Sequence, residues 1–311
     1  MITLALLLIT LAVPFAAAPL ARRTVQRLAP ASALRVLTTS SLALAGASVI
    51  ALGTLVLTGL LMLPGLATLG ELIRPLRAPS ALLVLPVAAA ATGILTLSAW
   101  KLGRSTLRQL HDFRSATSEA DRRPTAGDLC VVDSPHPDAY ALPGRTQRIV
   151  VTTAMLRSLD AAEREALFAH ERAHNRGHHH RFLATAELTA HCHPALGPMR
   201  TAIRLAVERA ADESAARATG DRRLTARAIA RAALVSHATR SGRPGFAPAA
   251  TSGPVPQRVA ALLSPAPARS RTAPWIAALL AVCAAVSVAA GATGAIAFHH
   301  EVEVAQGEVP R

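Results

Sequence analysis

Five histidines lie within eleven residues in the segment HERAHNRGHHH, which runs from His170 to His180. Side chains four positions apart project from the same face of an α-helix, so His170 and His174 would both point at one ion. Glu171 would then reach a water molecule bound to that ion and accept its proton. The HExxH spacing therefore predicts a catalytic Zn²⁺ site with His170 and His174 as ligands and Glu171 as base.

A catalytic zinc site needs a third protein ligand, and the sequence offers two candidates. His180 would complete the longer HExxHxxGxxH motif if the helix ended at Gly177 and turned back, but the residues that follow it are compatible with a helix. The other candidate is Glu208, in the segment AIRLAVERAADESAARATGD. Its spacing to nearby arginines equally suits a surface ion pair. Asp212, one turn further on, favours Glu208, because a carboxylate often orients a zinc-binding histidine.

The helix that carries the motif has a clear start. Asp160 is followed three residues later by Glu163, the pattern of a capping box. No proline interrupts residues 161–180, so we expect one helix over that range, with His178 and His179 at its solvated end. Further helices are predicted over the following segments: 182–192, 198–219, 221–239 and, as a short helix, 256–263.

Three short segments before this helix are predicted to be strands: 128–133, 139–142 and 148–153. The third, RIVVTT, is β-branched and apolar. We expect it to be an edge strand, to which an extended substrate would add as a further strand. Tyr140, the only tyrosine, would either pack in an apolar cluster or donate a hydrogen bond in the transition state.

The composition is too apolar for one ordinary soluble domain, with 51% hydrophobic residues and a mean hydropathy of +0.34. A membrane-spanning helix needs about 20 apolar residues. Four stretches qualify: 2–20, 40–64, 80–100 and 275–298. Basic residues follow the first stretch instead of preceding it, which favours a retained span over a signal peptide. We therefore expect three spans within residues 1–100, a polar domain over 101–239, a linker over 240–274, the fourth span and a tail over 299–311.

Charge predicts the orientation of these spans. Clusters of arginine follow spans one and three, so the positive-inside rule places the polar domain in the cytoplasm and both termini outside. The formal net charge is +14 and only 3% of residues are aromatic. This favours attraction to the lipid bilayer over direct nucleic-acid binding. The three scattered cysteines predict no disulfide framework.

The segments PDAYALPG, RIVVTTAMLRSLDAAEREALFAHERAH and VERAADESAA resemble the BlaR/MecR-type membrane zinc metallopeptidases. They are more distantly similar to HtpX-like and CAAX-prenyl-protease-like enzymes. The resemblance covers residues 125–263 and the spans around them. It implies a mainly α fold with a gluzincin-like α+β domain that carries a small β-sheet. It also implies that His170, His174 and Glu208 bind one Zn²⁺, that Glu171 is the base, and that Asp212 supports a ligand from behind.

This chain also departs from the relatives it resembles. Asp138 stands where many of them have asparagine, in a stretch that borders the active-site cleft, so Asp138 and Tyr140 are expected near the substrate. The β-lactam sensors carry an extracellular penicillin-binding domain after their last span. We expect none in the short tail here, and therefore a different trigger.

The resemblance implies a protein substrate, such as a cytoplasmic transcriptional repressor whose cleavage releases gene expression. An HtpX-like quality-control protease of the membrane is one alternative. A catalytically silent signalling scaffold is another, although a scaffold would not need Glu171.

Overall fold

Four helices are long and apolar enough to cross a membrane, as the sequence predicts, and they mark the chain as a membrane protein. The structure, a computed structural model, describes residues 2–63, 81–123, 125–144, 146–237, 254–265 and 273–306. The membrane helices are α1 (Ile2–Arg27), α2 (Pro30–Leu61), α3 (Ala81–Asp121) and α10 (Ala273–Gln306). Helix α1 packs against α2 and α10, and α2 packs against α3.

Helix α3 extends well beyond the predicted third span. It runs for 41 residues, because no proline follows Pro86 until position 124 to remove a backbone donor. Residues 101–121, which the sequence assigns to the polar domain, therefore continue the helix of the third span. This extension packs against α6 and so connects the membrane with the polar domain.

A four-stranded mixed sheet follows α3 and confirms all three predicted strands. Its strands are β1 (Thr125–Ala126), β2 (Leu129–Val132), β3 (Ala139–Leu142) and β4 (Arg148–Thr152). The strand order is β1-β2-β4-β3, with β4 parallel to β2 and antiparallel to β3. The prediction that RIVVTT is an edge strand is wrong. The last four residues of β4 are buried, as in a central strand covered on both faces, and β3 is an edge strand instead.

The predicted helices of the domain are present, with one corrected boundary. A short helix that was not predicted, α4 (Thr153–Ser158), comes first. The predicted helices follow it: α5 (Ala161–Arg176), α6 (His179–Cys192), α7 (Gly197–Thr219), α8 (Arg222–His237) and α9 (Val255–Leu263). Helix α5 ends at Arg176 instead of continuing to His180, because His178 adopts the left-handed conformation with φ of 49°. Helix α9 lies inside the predicted linker and packs against α7 and α8.

Two apolar clusters fix the helices that carry the motif residues. Leu167 of α5 packs with Val151 of β4 and Met155 of α4, which seats α5 on the sheet. Helix α7 contributes Ile203 and Val207 to a second cluster, which it shares with α1, α2, α6 and α10. Helix α7 thus packs against the membrane helices, whereas α5 packs against the sheet and against helices α7 and α8.

Candidate metal centre

Helix α5 begins with the predicted capping box and holds both motif histidines. Asp160 accepts a hydrogen bond from the backbone N–H of Glu163, and the Glu163 carboxylate accepts one from the backbone N–H of Asp160. One turn separates His170 from His174, and both side chains are buried. Their Nε2 atoms lie 3.0 Å apart, so the two imidazoles converge on one point.

Glu208 of α7 completes the cluster. Its Oε2 lies 3.7 Å from Nε2 of His170 and 3.9 Å from Nε2 of His174. Ligand atoms bound at 2.0–2.1 Å to a tetrahedral zinc ion lie about 3.3 Å from one another. The three atoms therefore need to move by only a few tenths of an ångström, and two imidazoles with one carboxylate are a known donor set of catalytic zinc. Among the described residues, these three form the group that could hold a metal ion.

A buried ion pair stands behind His170. Oδ1 of Asp212 lies 3.0 Å from Nδ1 of His170, on the side of the ring away from the ligand triangle. Both oxygens of Asp212 accept hydrogen bonds from Arg258, at 2.7 and 2.9 Å. Nη1 of Arg258 also lies 3.0 Å from Oε2 of Glu208. Arg258 thus orients both carboxylates, and one of them in turn orients His170.

Sequence reasoning missed Arg258, although a signal was present. Arg258 belongs to α9, in the segment interpreted as a linker, and its side chain is fully buried. Val255 precedes it by three positions and Leu262 follows it by four, so Arg258 falls on the apolar stripe of an amphipathic helix. A cation in that place must be paired when the stripe is buried.

The charges of this network shift several pKa values. Burial alone would raise the pKa of Asp212, but the adjacent Arg258 outweighs it and holds that pKa below its ordinary value. Burial disfavours a charged His170, yet the adjacent carboxylates of Asp212 and Glu208 raise its pKa to about 9. Burial, followed by the charge of His170, lowers the pKa of His174 well below its ordinary value. A metal ion that binds here must therefore displace a proton.

His179 stands behind His174, contrary to the prediction that it is solvated. Its Nδ1 lies 2.9 Å from Nδ1 of His174, and its side chain is buried. Burial, followed by the charge of His170, lowers its pKa to about 4, so His179 is neutral near pH 7. The reason for the error is the break at His178, which starts a new helix and turns His179 inward.

The same break explains Gly177 without the longer zinc motif. A Cβ atom at Gly177 would lie 2.5 Å from Nε2 of His179, so only glycine lets this ring approach. The turn that the longer motif requires is present, but it brings His179 to the site. His180 lies outside the cluster, half-buried, in the wall of a surface cleft.

The two predicted substrate contacts, Asp138 and Tyr140, line the same cleft beside the sheet. Ala139 packs with Leu167 of α5. The neighbouring Tyr140 faces the opposite side, where it packs with Cys130. Asp138 is buried at the start of β3, and its backbone N–H donates to Oγ1 of Thr152. Tyr140 thus packs on the face of the sheet away from α5.

The remaining motif residue, Glu171, is also buried. Its side chain has no exposed surface, and its charge is among those that raise the pKa of Arg258. Glu171 therefore shares the electrostatic environment of the ligand triangle. The site contains a candidate base, three candidate ligands and a partner for each of those ligands.

Residues 105–197 match the model of peptidase family M48. This match runs from α3 to the start of α7 and includes His170, Glu171 and His174. The M48 match supports a metallopeptidase function, and peptidases of this family are generally zinc-dependent. No curated protein matches the chain, and no solved structure does.

Proposed function

We propose that this protein is a zinc-dependent endopeptidase of the membrane that hydrolyses protein substrates on the cytoplasmic side. The observation that carries the proposal is the convergence of His170, His174 and Glu208 beside Glu171 in a buried site. The M48 match supports peptide hydrolysis as the reaction. The resemblance of the sequence to BlaR/MecR-type enzymes suggests a regulatory role.

The side chains divide the reaction between them. A zinc ion held by the three ligands would supply a water of lowered pKa and would polarise the substrate carbonyl. Glu171 would accept the proton of the attacking water and pass it to the leaving amine. Asp212 would keep Nε2 of His170 directed at the ligand triangle by accepting a hydrogen bond from Nδ1.

The substrate would bind as an additional strand beside β3. This strand has a neighbour on one side in the described sheet, and it packs against α5, which carries the motif. Backbone hydrogen bonds to β3 would extend the substrate along the site. Such binding reads main-chain atoms, so it suits a peptidase whose substrates share little sequence.

The proposed cytoplasmic location depends on charge. Basic residues cluster where α1 ends and α2 begins, and again after the apolar part of α3. The polar domain packs at these same ends of the helices, since α7 contacts α1 and α2 and α6 contacts α3. The positive-inside rule assigns these ends to the cytoplasm.

The base assignment is tested with Glu171→Gln in purified, membrane-reconstituted protein. We expect unchanged zinc content and kcat for an unfolded protein substrate lowered by about 10²- to 10⁴-fold. Glu165→Gln is a matched control, because Glu165 is exposed on the same helix. Full activity in Glu171→Gln would contradict the assigned base.

Two biological roles use the same site and differ in substrate. In cells that carry Glu171→Gln, accumulation of one soluble DNA-binding protein would support the regulatory role. Accumulation of many membrane proteins would support HtpX-like quality control. A wild-type protein that binds zinc and cleaves no unfolded chain would instead indicate a scaffold.

A further inference from the structure

A surface cleft of about 710 Å³ lies between α3 and α6, at the point where α3 leaves its apolar span. This cleft differs from the metal centre because cationic side chains line much of its wall. Lys101, Arg104 and Arg108 contribute from α3, and Arg204 contributes from α7. The three α3 cations are spaced three and four positions apart, so they lie along one face of that helix.

The acidic residues of the cleft do not balance these cations. Glu187 lines the cleft, but it already accepts hydrogen bonds from Arg200 at 2.9 Å and from Arg204 at 3.2 Å. Asp112 is the other acid in the lining. Lys101, Arg104 and Arg108 are exposed. The cleft therefore carries a net positive charge that suits an anionic ligand.

An aromatic side chain fixes the position of the cleft relative to a bilayer. Trp100 lines the cleft, and the guanidinium carbon of Arg104 lies 5.6 Å from the centre of its ring. Tryptophan is enriched at the level of lipid head groups, and clustered Lys and Arg beside a span attract anionic lipids. The cation cluster starts at the residue after Trp100, so it lies at head-group depth.

We propose that this cleft binds the phosphate of an anionic phospholipid head group. The cations of α3 and Arg204 of α7 would surround the phosphate from two helices, while Trp100 lies against the lipid. Helix α6 forms the opposite wall with His180, Glu187 and His191. The same helix begins at His179, the partner of His174, so the lipid would sit on the element that supports one ligand of the metal centre.

Trp100 provides a local probe, because the chain has only one other tryptophan. We suggest a Trp275→Phe protein in bilayers that contain brominated phosphatidylglycerol or brominated phosphatidylcholine. Quenching of Trp100 reports the relative association of each lipid with the cleft. The test variant is Lys101→Gln with Arg108→Gln, which leaves the Arg104–Trp100 contact in place. The matched control is Arg114→Gln with Arg122→Gln, further along the same helix.

Phosphatidylglycerol should quench Trp100 more than phosphatidylcholine does. At about fivefold for each of the two cations removed, this preference should fall by about 25-fold in the test variant alone. Equal quenching by the two lipids in the parent protein would overturn the proposal, even if a variant failed to fold. An equal loss in both variants would also overturn it, because it would indicate general surface attraction. Soluble glycerol phosphate, added to phosphatidylcholine bilayers, should leave Trp100 emission unchanged. A saturable change would identify a soluble phosphate ligand and reject the lipid.

Discussion

The two motif histidines share one ligand triangle but have different support. His170 is backed by the carboxylate of Asp212, which Arg258 holds from a third helix. His174 is backed by the neutral imidazole of His179, only five positions further along the chain. The support of His170, the charged side of the site, thus comes from distant parts of the sequence. The support of His174, the local side, is uncharged and comes from a nearby residue. We expect the charged side to control metal affinity and stability, because ionised partners strengthen a ligand more than neutral ones.

The largest effect on zinc binding is expected for the ligand on the charged side of the site, Glu208. Glu208→Ala should abolish stoichiometric zinc in the purified protein, a larger loss than the 10- to 100-fold decrease in affinity typical of an outer partner. His180→Ala is the matched control and should keep its zinc, because His180 lies outside the triangle. Elemental analysis decides the point. If His180→Ala lost its zinc and Glu208→Ala kept it, His180 would be the third ligand, as in the longer HExxHxxGxxH motif.

The next effect concerns the folded state. Arg258→Ala leaves two buried carboxylates without their cation and should lower the free energy of unfolding by about 3–5 kcal/mol. Arg217→Ala, at an exposed position near the end of α7, should change it by less than about 0.5 kcal/mol. Unfolding of zinc-free protein by denaturant separates stability from metal binding. Equal, small changes in the free energy of unfolding of both variants would show that the buried ion pair does not stabilise the fold.

A direct comparison of the two supports should give a smaller difference. Asp212→Asn removes the charge behind His170 and should weaken zinc affinity by about 10- to 100-fold, measured by competition with a chelator. His179→Asn should weaken it less, because a neutral hydrogen-bonding group remains behind His174. If His179→Asn has the larger effect, the local side of the site is dominant and our comparison is reversed.

The smallest effect is expected at the surface, where α5 meets the sheet. Arg172 donates two hydrogen bonds to Asp128, at 2.6 and 2.9 Å, and this guanidinium holds the pKa of Asp128 below 3.8. A lowered folded-state pKa contributes stability above the ordinary pKa, and this stability is lost as the pH falls through the lowered value. Asp128→Asn should therefore cost under about 1 kcal/mol at pH 7, and this cost should decrease as the pH falls below 3.8. A cost that stays constant as the pH falls through this range would contradict this account.

Local patterns in the sequence predicted much of the fold. The capping box at Asp160 and Glu163, the strand segments and the four apolar spans are all present in the structure. Each depends on residues within a few positions of one another, so short-range sequence rules suffice. The position of β4 inside the sheet could not be deduced in this way, because strand order depends on pairing between distant segments.

The candidate site shows the same division. The sequence by itself determined that His170, Glu171 and His174 share one turn of helix, because helical periodicity fixes their spacing. Only the tertiary structure decided that Glu208 and not His180 meets them, that His179 turns inward, and that Arg258 is buried behind Asp212. Those contacts arise from packing between helices. A charge buried in a low-dielectric interior requires a partner, and that partner can come from any part of the chain.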